Sequence, residues 1–204
     1  MTPSRRLTDA TWTELAELDP PPFLAMPIGS CEQHGPHLPL DTDTRLAVAF
    51  ASALSSARPA VWLGPSITIG TSWEHHGFPG LLSLDADALV AALLQMARSA
   101  DWCRGLVFVN GHGGNTVALR RAVAAITGEG RRALVWSPRV PGGDAHAGRT
   151  ETSLLLAVDP GAVRRPGAAG HTGPLRAVAE HGVKAISPSG VLGDPAGASA
   201  AEGA

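Results

Sequence analysis

Several residue types are scarce or absent, and each absence excludes a class of protein. The 204-residue sequence contains no tyrosine and only two cysteines, Cys31 and Cys103. Two distant cysteines without CxxC spacing argue against a disulfide framework or a zinc ribbon, so both are expected to be reduced thiols. The formal net charge is −2, and no long run of Lys or Arg occurs. Nucleic acid and an anionic membrane surface are therefore not expected partners.

Long apolar runs are missing as well. No segment approaches the ~20 uninterrupted apolar residues of a membrane span, and residues 1–19 lack the apolar stretch of a signal peptide. We therefore expect a cytoplasmic protein. The length and a 44% hydrophobic content predict a single domain over 1–204. Residues 198–204 resemble the first turns of a helix, so we expect a C-terminal helix to be cut short there.

Short apolar segments alternate with longer amphipathic ones along the chain. Strands are predicted at 23–29, 61–69, 105–109 and 134–136. Helices are predicted at 44–57, 85–98 and 115–127, with a shorter one near 175–180. Parallel strands require helical crossovers, so this alternation predicts an α/β fold. The architecture expected is a three-layer α/β/α sandwich with a mainly parallel central sheet.

Histidines and acids concentrate in three segments that follow predicted strands. The segments are GSCEQHGPHLPLDTD after the first strand, NGHGGN after the third and DAHAGRTETS after the fourth. In open α/β sheets the working site gathers at the carboxyl ends of the strands, so these segments are expected to meet. Imidazole together with carboxylate suits Zn, Fe or Mn, and the missing thiolate set argues against a structural zinc site.

Four residues in these segments are predicted metal ligands. Glu32 and His34 are two positions apart, and an extended segment would send both side chains to one side. Asp43 has two oxygens and could bridge two ions. His112 lies between glycines that let the backbone turn tightly and adds a ligand from a neighbouring strand end.

Other residues have more ordinary interpretations. Five further histidines are each expected to be solvated or hydrogen-bonded side chains: His37, His75, His76, His171 and His181. Asp41 is expected to be a loop acid and Asp85 a helix cap. Cys31 could be a thiol nucleophile, but its neighbours favour a metal-binding loop. NGHGGN could suggest a phosphate loop, yet it lacks the Gly-Lys-Ser/Thr element.

The motifs GSCEQHGPHLPLDTD and FVNGHGGN resemble the creatininase family, a group of dinuclear-metal hydrolases of linear and cyclic amides. The resemblance spans roughly 27–201. The segments GGDAHAGRTETS and SPSGVLGDP look most like the family's mycofactocin-system branch, which releases a C-terminal Val-Tyr dipeptide from a modified precursor peptide. The resemblance thus implies a metal-dependent peptidase with two divalent ions, Fe(II) and Zn(II) or alternatively Mn(II), in a homo-oligomer.

The resemblance also implies how the ligands are shared. Glu32 and His112 would hold one ion and His34 the other, with Asp43 bridging them. The creatinine-cleaving branch has a glutamate two residues after the equivalent of His112, where this chain has Gly114. We expect Glu151, from a nearby strand end, to supply the missing carboxylate.

The resemblance further suggests catalytic and substrate-binding roles. The creatinine branch places a tryptophan before the equivalent of His146, whereas this chain has the glycine-containing segment 141–144, which leaves more space. His146 would donate a proton to the leaving nitrogen or hold the tetrahedral oxyanion, with Glu151 as base if it is not a ligand. Arg149 would anchor a substrate carboxylate, or else be a surface arginine. The backbone of Gly113 and Gly114 would bind peptide carbonyls.

Two other functions are consistent with the same residues. A hydrolase of a cyclic amide or formamide would keep the metal site and change the substrate. A non-catalytic family member would bind metal or a peptide without cutting it. Retention of the four expected ligands favours an enzyme over the second alternative.

Overall fold

A four-stranded, all-parallel sheet forms the centre of the protein in a computed structural model that describes residues 5–165 and 169–204. Its strands are β1 (Phe23–Ile28), β2 (Val61–Leu63), β3 (Gly105–Asn110) and β4 (Ala133–Trp136), in the spatial order β2-β1-β3-β4. In the central pair, Phe23 lies opposite Gly105 and Ile28 lies opposite Asn110. The two middle strands therefore end side by side, and the segments that follow them start at the same edge.

The described helices are α1 (Trp12–Ala16), α2 (Thr42–Ala57), α3 (Ala86–Ser99), α4 (Thr116–Gly128), α5 (Arg149–Val158), α6 (Arg176–His181), α7 (Val183–Ile186) and α8 (Ala200–Gly203). Of these, α2, α3 and α4 pack on the sheet. Short 3-10 turns lie at Leu7–Asp9, Trp73–His75, Gly113–Asn115 and Pro160–Ala162. No helix in the described ranges is long and apolar enough to cross a membrane.

The alternation of side chains along the strands divides the core into two layers. Leu24 and Phe108, on one face, pack with buried residues of α3 and α4. Ala25 and Val109, on the other face, pack against α2. The two middle strands are thus covered on both sides, which is why their sequences are almost continuously apolar. The predicted three-layer α/β/α sandwich with a parallel sheet is confirmed.

The second strand is shorter than the sequence predicts. It ends at Leu63 rather than at 69. Gly64 and Pro65 follow it directly, and a proline has no backbone N–H to donate to a sheet ladder. Beyond them, Ile67 returns to the sheet through an isolated bridge to Ile28.

Helix α5 was not predicted, and it changes the place of Glu151. The residue before the helix is Gly148, whose position offers no capping side chain. The carboxylate of Asp144 instead accepts hydrogen bonds from the backbone N–H groups of Arg149 and Thr150. A cap supplied from several residues upstream is hidden from a sequence pattern that looks for a capping residue next to the helix. Glu151 therefore lies in the first turn of a helix and not in a loop.

The predicted cap Asp85 and Asn115, the residue before α4, behave differently. Asp85 accepts a hydrogen bond from the Ala88 N–H at 2.7 Å, so its role as a cap is confirmed. Asn115 precedes α4, but its side chain makes no capping hydrogen bond. It accepts from the Thr71 N–H at 2.8 Å and donates to the Gly29 carbonyl at 2.9 Å. Asn115 therefore ties together the segments that follow three strands.

Two glycines allow the start of α2 to approach the strand ends. A Cβ atom at Gly29 would overlap Thr44, and one at Gly111 would overlap the backbone carbonyl of Asp43. By contrast, a Cβ atom at Gly113 would meet nothing within 4 Å. The close approach matters because Asp43 lies in the first turn of α2.

We predict that Gly111→Ala destabilises the protein by ~1–3 kcal/mol, since the added methyl group must push backbone rather than a flexible side chain. Gly113→Ala is the matched control and should leave the melting temperature almost unchanged. For a chain of this length, each kcal/mol lowers the melting temperature by about 2–4 °C. Thermal unfolding followed by circular dichroism measures both variants, and equal melting temperatures would contradict the expected close packing.

Candidate metal centre

Six ionisable side chains lie buried together where β1 and β3 end. Each is at most 6% exposed, and they come from five segments of the chain: Glu32, His34, Asp43, His75, His112 and His146. Glu151 extends toward them from the first turn of α5 and is 19% exposed at its side chain. The structure thus brings the predicted ligands to one place.

Asp43 lies at the centre of this cluster and faces two histidines with its two oxygens. Its Oδ1 is 3.1 Å from His34 Nε2, and its Oδ2 is 3.1 Å from His112 Nδ1. The Ser30 hydroxyl donates to Oδ2 at 2.6 Å. A carboxylate held in this way could offer one oxygen to each of two cations.

Two groups of possible ligand atoms flank Asp43. In the first, Glu32, Asp43 and His112 lie within 4.8 Å of one another. In the second, His34, His146 and Glu151 do so, with Glu151 Oε2 at 4.0 Å from each histidine. The division agrees with the sharing of ligands that the sequence suggests, and adds His146 to the second group.

Three of the histidines are oriented by the same kind of hydrogen bond. Each donates its outer N–H to a backbone carbonyl: His34 Nδ1 to Glu32 at 3.2 Å, His112 Nε2 to Thr71 at 3.0 Å, and His146 Nε2 to Gln33 at 2.8 Å. The inner nitrogen of each ring is left facing the carboxylates. Metal-binding histidines are typically fixed through their other nitrogen in this manner.

The donor atoms fit a divalent cation. Both oxygens of Glu32 are buried without a hydrogen-bond partner in the described part of the chain. A buried carboxylate without a donor costs several kcal/mol, and a cation would offset that cost. Imidazole nitrogen and carboxylate oxygen are the ligands preferred by Zn, Fe and Mn.

The raised pKa values of three groups show that the cluster retains protons when no metal is bound. Burial raises the pKa of Glu32 to about 7 and that of Glu151 to about 7. Burial alone would lower the pKa of His34, but the charge of Asp43 outweighs it and raises the pKa to about 9. Metal binding must therefore displace protons from this cluster.

His75 was expected to be an ordinary solvated or hydrogen-bonded side chain, and its position is more specific than that. It is 2% exposed, and its Nε2 lies 3.1 Å from Glu32 Oε1. The Gln33 amide donates to its Nδ1 at 2.8 Å and to the Gly190 carbonyl at 3.1 Å. The neutral ring therefore carries its proton on Nε2, on the side of Glu32, although this contact does not have the geometry of a hydrogen bond. His75, Glu32 and His146 form a third group with ligand spacing.

The other histidines agree with the ordinary interpretation. The buried His37 ring bonds to the Thr152 hydroxyl at 2.9 Å. His76 is exposed beside the Trp73 ring, and His181 is exposed. His171 bonds to the Pro174 carbonyl at 3.4 Å.

Glu74 is a site residue that the sequence did not indicate. Its Oε1 lies 3.3 Å from His112 Nε2. A Cβ atom at Gly114 would overlap that same Glu74 oxygen and the His112 ring. Burial alone would raise the pKa of Glu74, but His112 outweighs it and keeps the pKa below its usual value. The carboxylate nearest to position 114 is therefore Glu74, whereas Glu151 lies on the opposite side of Asp43, with His34.

Arg149 does not reach the cluster. Its guanidinium pairs with Glu202 at 2.8 Å and is 54% exposed, so the predicted substrate anchor is engaged elsewhere. This pair joins α5 to α8, and the same Glu202 accepts from the Ser153 hydroxyl at 3.0 Å. The surface-arginine alternative describes Arg149 better.

A cleft of about 370 Å³ opens beside the cluster. Both His112 and Glu151 line it, as does Gly113, while the more crowded Gly114 is not part of its lining. In the described part of the chain, Phe50 is the aromatic side chain of this wall. The lining of the cleft thus includes one residue from each of the two ligand groups, His112 and Glu151.

Comparisons with known proteins agree with this arrangement. A family model described as creatininase, creatinine amidohydrolase, matches residues 8–204. The sequence is 47% identical to the mycofactocin precursor peptide peptidase of Mycobacterium tuberculosis (strain CDC 1551 / Oshkosh), over 97% of this chain and 84% of that protein. It is 48% identical to the protein of that name from Mycolicibacterium smegmatis, over 89% and 78%. A solved structure named Creatininase Mn has a TM-score of 0.76 at 25% identity, over 98% of this chain and 92% of that chain.

We predict that Asp43→Ala removes both metal ions, because its two oxygens face both ligand groups. His34→Ala and His112→Ala should each release the ion on their own side. Elemental analysis of the purified variants gives the metal content per chain. Asp41→Ala is the control, since this neighbouring acid instead pairs with Arg45 at 2.8 Å. Two ions per chain in Asp43→Ala would exclude the bridging role.

Glu151 and Glu74 offer a matched pair of substitutions that keep size and remove charge. We predict that Glu151→Gln lowers the metal content toward one ion per chain, because it faces His34 and completes that side of the site. Glu74→Gln should retain two ions, because Glu74 contacts the outer nitrogen of His112. If Glu151→Gln keeps two ions while turnover collapses, Glu151 acts as a base and not as a ligand.

Proposed function

The chain belongs to the creatininase family, and on that premise we propose a dinuclear-metal peptidase that releases a C-terminal Val-Tyr dipeptide from the modified mycofactocin precursor peptide. The observation that carries the proposal is the cleft whose wall includes His112 and Glu151. A substrate in this cleft would lie directly beside both ligand groups. The two mycobacterial relatives, at 47% and 48% identity, are named as peptidases of that precursor.

We propose Fe(II) and Zn(II) as the resident ions, with Mn(II) as the alternative. One ion would be held by Glu32, Asp43 and His112, and the other by Asp43, His34 and Glu151. When bound, two such ions lower the pKa of water toward neutrality and polarise the scissile carbonyl. The similar structure named for manganese supports a divalent ion in this fold.

His146 is proposed to move the proton during cleavage. Burial holds its pKa well below the usual value and so favours the neutral ring. Its Nε2–H donates a hydrogen bond to the Gln33 carbonyl, while Nδ1 lies 3.7 Å from Glu32 Oε1. The free lone pair on Nδ1 can therefore accept a proton from the attacking water and pass it to the leaving nitrogen. His146 thus accepts a proton before it donates one, whereas the role expected from the sequence was to donate a proton or to hold the oxyanion.

The open wall favours a peptide over a small ring. A planar cyclic amide gains much of its binding from aromatic stacking and apolar burial. Here Phe50 stands at the edge of a cleft that also carries polar and charged side chains. The single domain, the homo-oligomer and the cytoplasmic location expected from the sequence stay predictions.

The metal-loaded protein should be incubated with the modified precursor and, separately, with creatinine, and the products read by mass spectrometry. We expect the dipeptide from the precursor, and loss of its release after chelation or in Asp43→Ala. Creatine without dipeptide would identify a cyclic amide hydrolase. Neither product, with both ions bound, would identify a non-catalytic protein.

A further inference from the structure

Two arginines that have no acidic partner among the described residues line the cleft beside the metal centre. Arg120 comes from α4 and Arg139 from the segment after β4. Among the residues that the structure describes, neither guanidinium forms an ion pair or a hydrogen bond. Both side chains are exposed to the solvent of the cleft. Two unpaired guanidinium groups in one cavity favour an anionic ligand, and their fork of donors matches a carboxylate.

Neighbouring arginines are paired, which sets these two apart. Arg121, next to Arg120 on α4, pairs with Asp87 at 2.6 Å. Arg149 pairs with Glu202. Each of these guanidinium groups therefore already has a carboxylate partner.

The acids of the cleft are also engaged. Asp144 lines the same wall, but its carboxylate accepts from the backbone at the start of α5. Glu151 accepts from the Ala147 N–H at 2.6 Å and faces His34. In the described part of the chain, neither carboxylate forms an ion pair with Arg120 or Arg139.

The rest of the lining describes the kind of group attached to the carboxylate. Apolar side chains of Leu46, Phe50, Val140 and Leu154 share the cavity with the arginines. Its volume of about 370 Å³ is at the low end for ligand sites, which run from roughly 300 to 1,000 Å³. Two extended residues span only about 7 Å. The cavity therefore suits a short apolar peptide segment that ends in a free carboxylate.

We propose that Arg120 and Arg139 bind the terminal α-carboxylate of the leaving fragment, so that the cut is set by its distance from the free C-terminus. This inference rests on the proposed function, and it transfers to these two residues the role that the sequence suggested for Arg149. The apolar wall would hold the side chains of the leaving dipeptide, while His112 and Glu151 face the bond to be cut.

The first test compares two substrates, the precursor with a free C-terminus and the same precursor with a C-terminal amide. The metal-loaded protein should cut the free acid about 10- to 100-fold more efficiently in kcat/KM, the range expected for hydrogen bonds to a charged group. In Arg139→Gln and Arg120→Gln this preference should shrink because cleavage of the acid slows, mainly through a higher KM. Arg139→Lys should restore part of the preference, because it keeps the charge without the two-pronged geometry.

Two variants serve as controls. Arg121→Gln changes the next residue on α4, whose partner is Asp87, and should keep the full preference for the acid. Arg149→Gln should also keep it, although it removes the pair with Glu202 and can lower stability. If Arg149→Gln alone abolishes the preference, the anchor is Arg149 and our assignment is wrong.

A binding measurement separates this inference from the proposed function. Calorimetry should show Val-Tyr binding to the wild type about 10- to 100-fold more tightly than its amide, with that difference lost in the Arg120→Gln, Arg139→Gln double variant. Cleavage of acid and amide at equal rates would overturn the anchor and leave the peptidase standing. Absence of cleavage by the fully loaded protein would overturn the peptidase, and the anchor with it.

Discussion

The position of the Asp43 carboxylate is the constraint on which the rest of the site depends. Its oxygens lie 3.1 Å from His34 and 3.1 Å from His112, two residues that follow different strands. The carboxylate is carried by the first turn of α2, which can reach both strand ends because Gly29 and Gly111 have no side chain. A shift of α2 along the sheet would move Asp43 away from both histidines at once. Packing between helix and strand thus determines the spacing of the ligands.

Burying this cluster lowers the stability of the folded protein. Glu32 and Asp43 are each at most 1% exposed and lie among the imidazole rings of His34, His75 and His112. Burying such groups costs several kcal/mol per charge unless opposite charge compensates it. The large apolar core between the sheet and the helices α3 and α4 offsets that cost. Buried groups with perturbed pKa values are typical of functional sites, and such sites often lower the stability of the fold.

The sequence was sufficient for the residues that follow β1 and β3, and the reason is topological. Parallel strands end at one edge, so Glu32, His34 and His112 could be expected to meet before any contact was known. His75 and Glu74 could not be found in this way, because they reach the site from an irregular segment after β2 that belongs to no regular strand. The pairing of Arg149 was equally hidden, since Glu202 is 53 positions away in the chain. Side chains placed by regular structure are predictable from pattern, and those placed by loops or by distant partners are not.

The relation between Gly114 and Glu74 shows how one position restricts another. A side chain at 114 would occupy the space of the Glu74 oxygen and would press on the His112 ring, so the two positions cannot both carry a carboxylate into this space. In the creatinine-cleaving branch of the family that the sequence resembles, a glutamate stands at the position of Gly114. Here a carboxylate reaches almost the same place from the segment after β2. This carboxylate is carried by the 3-10 turn at Trp73–His75, and the two residues after His112 are glycines without side chains. The chain thus keeps a carboxylate next to His112, while position 113, in the wall of the cleft, carries no side chain.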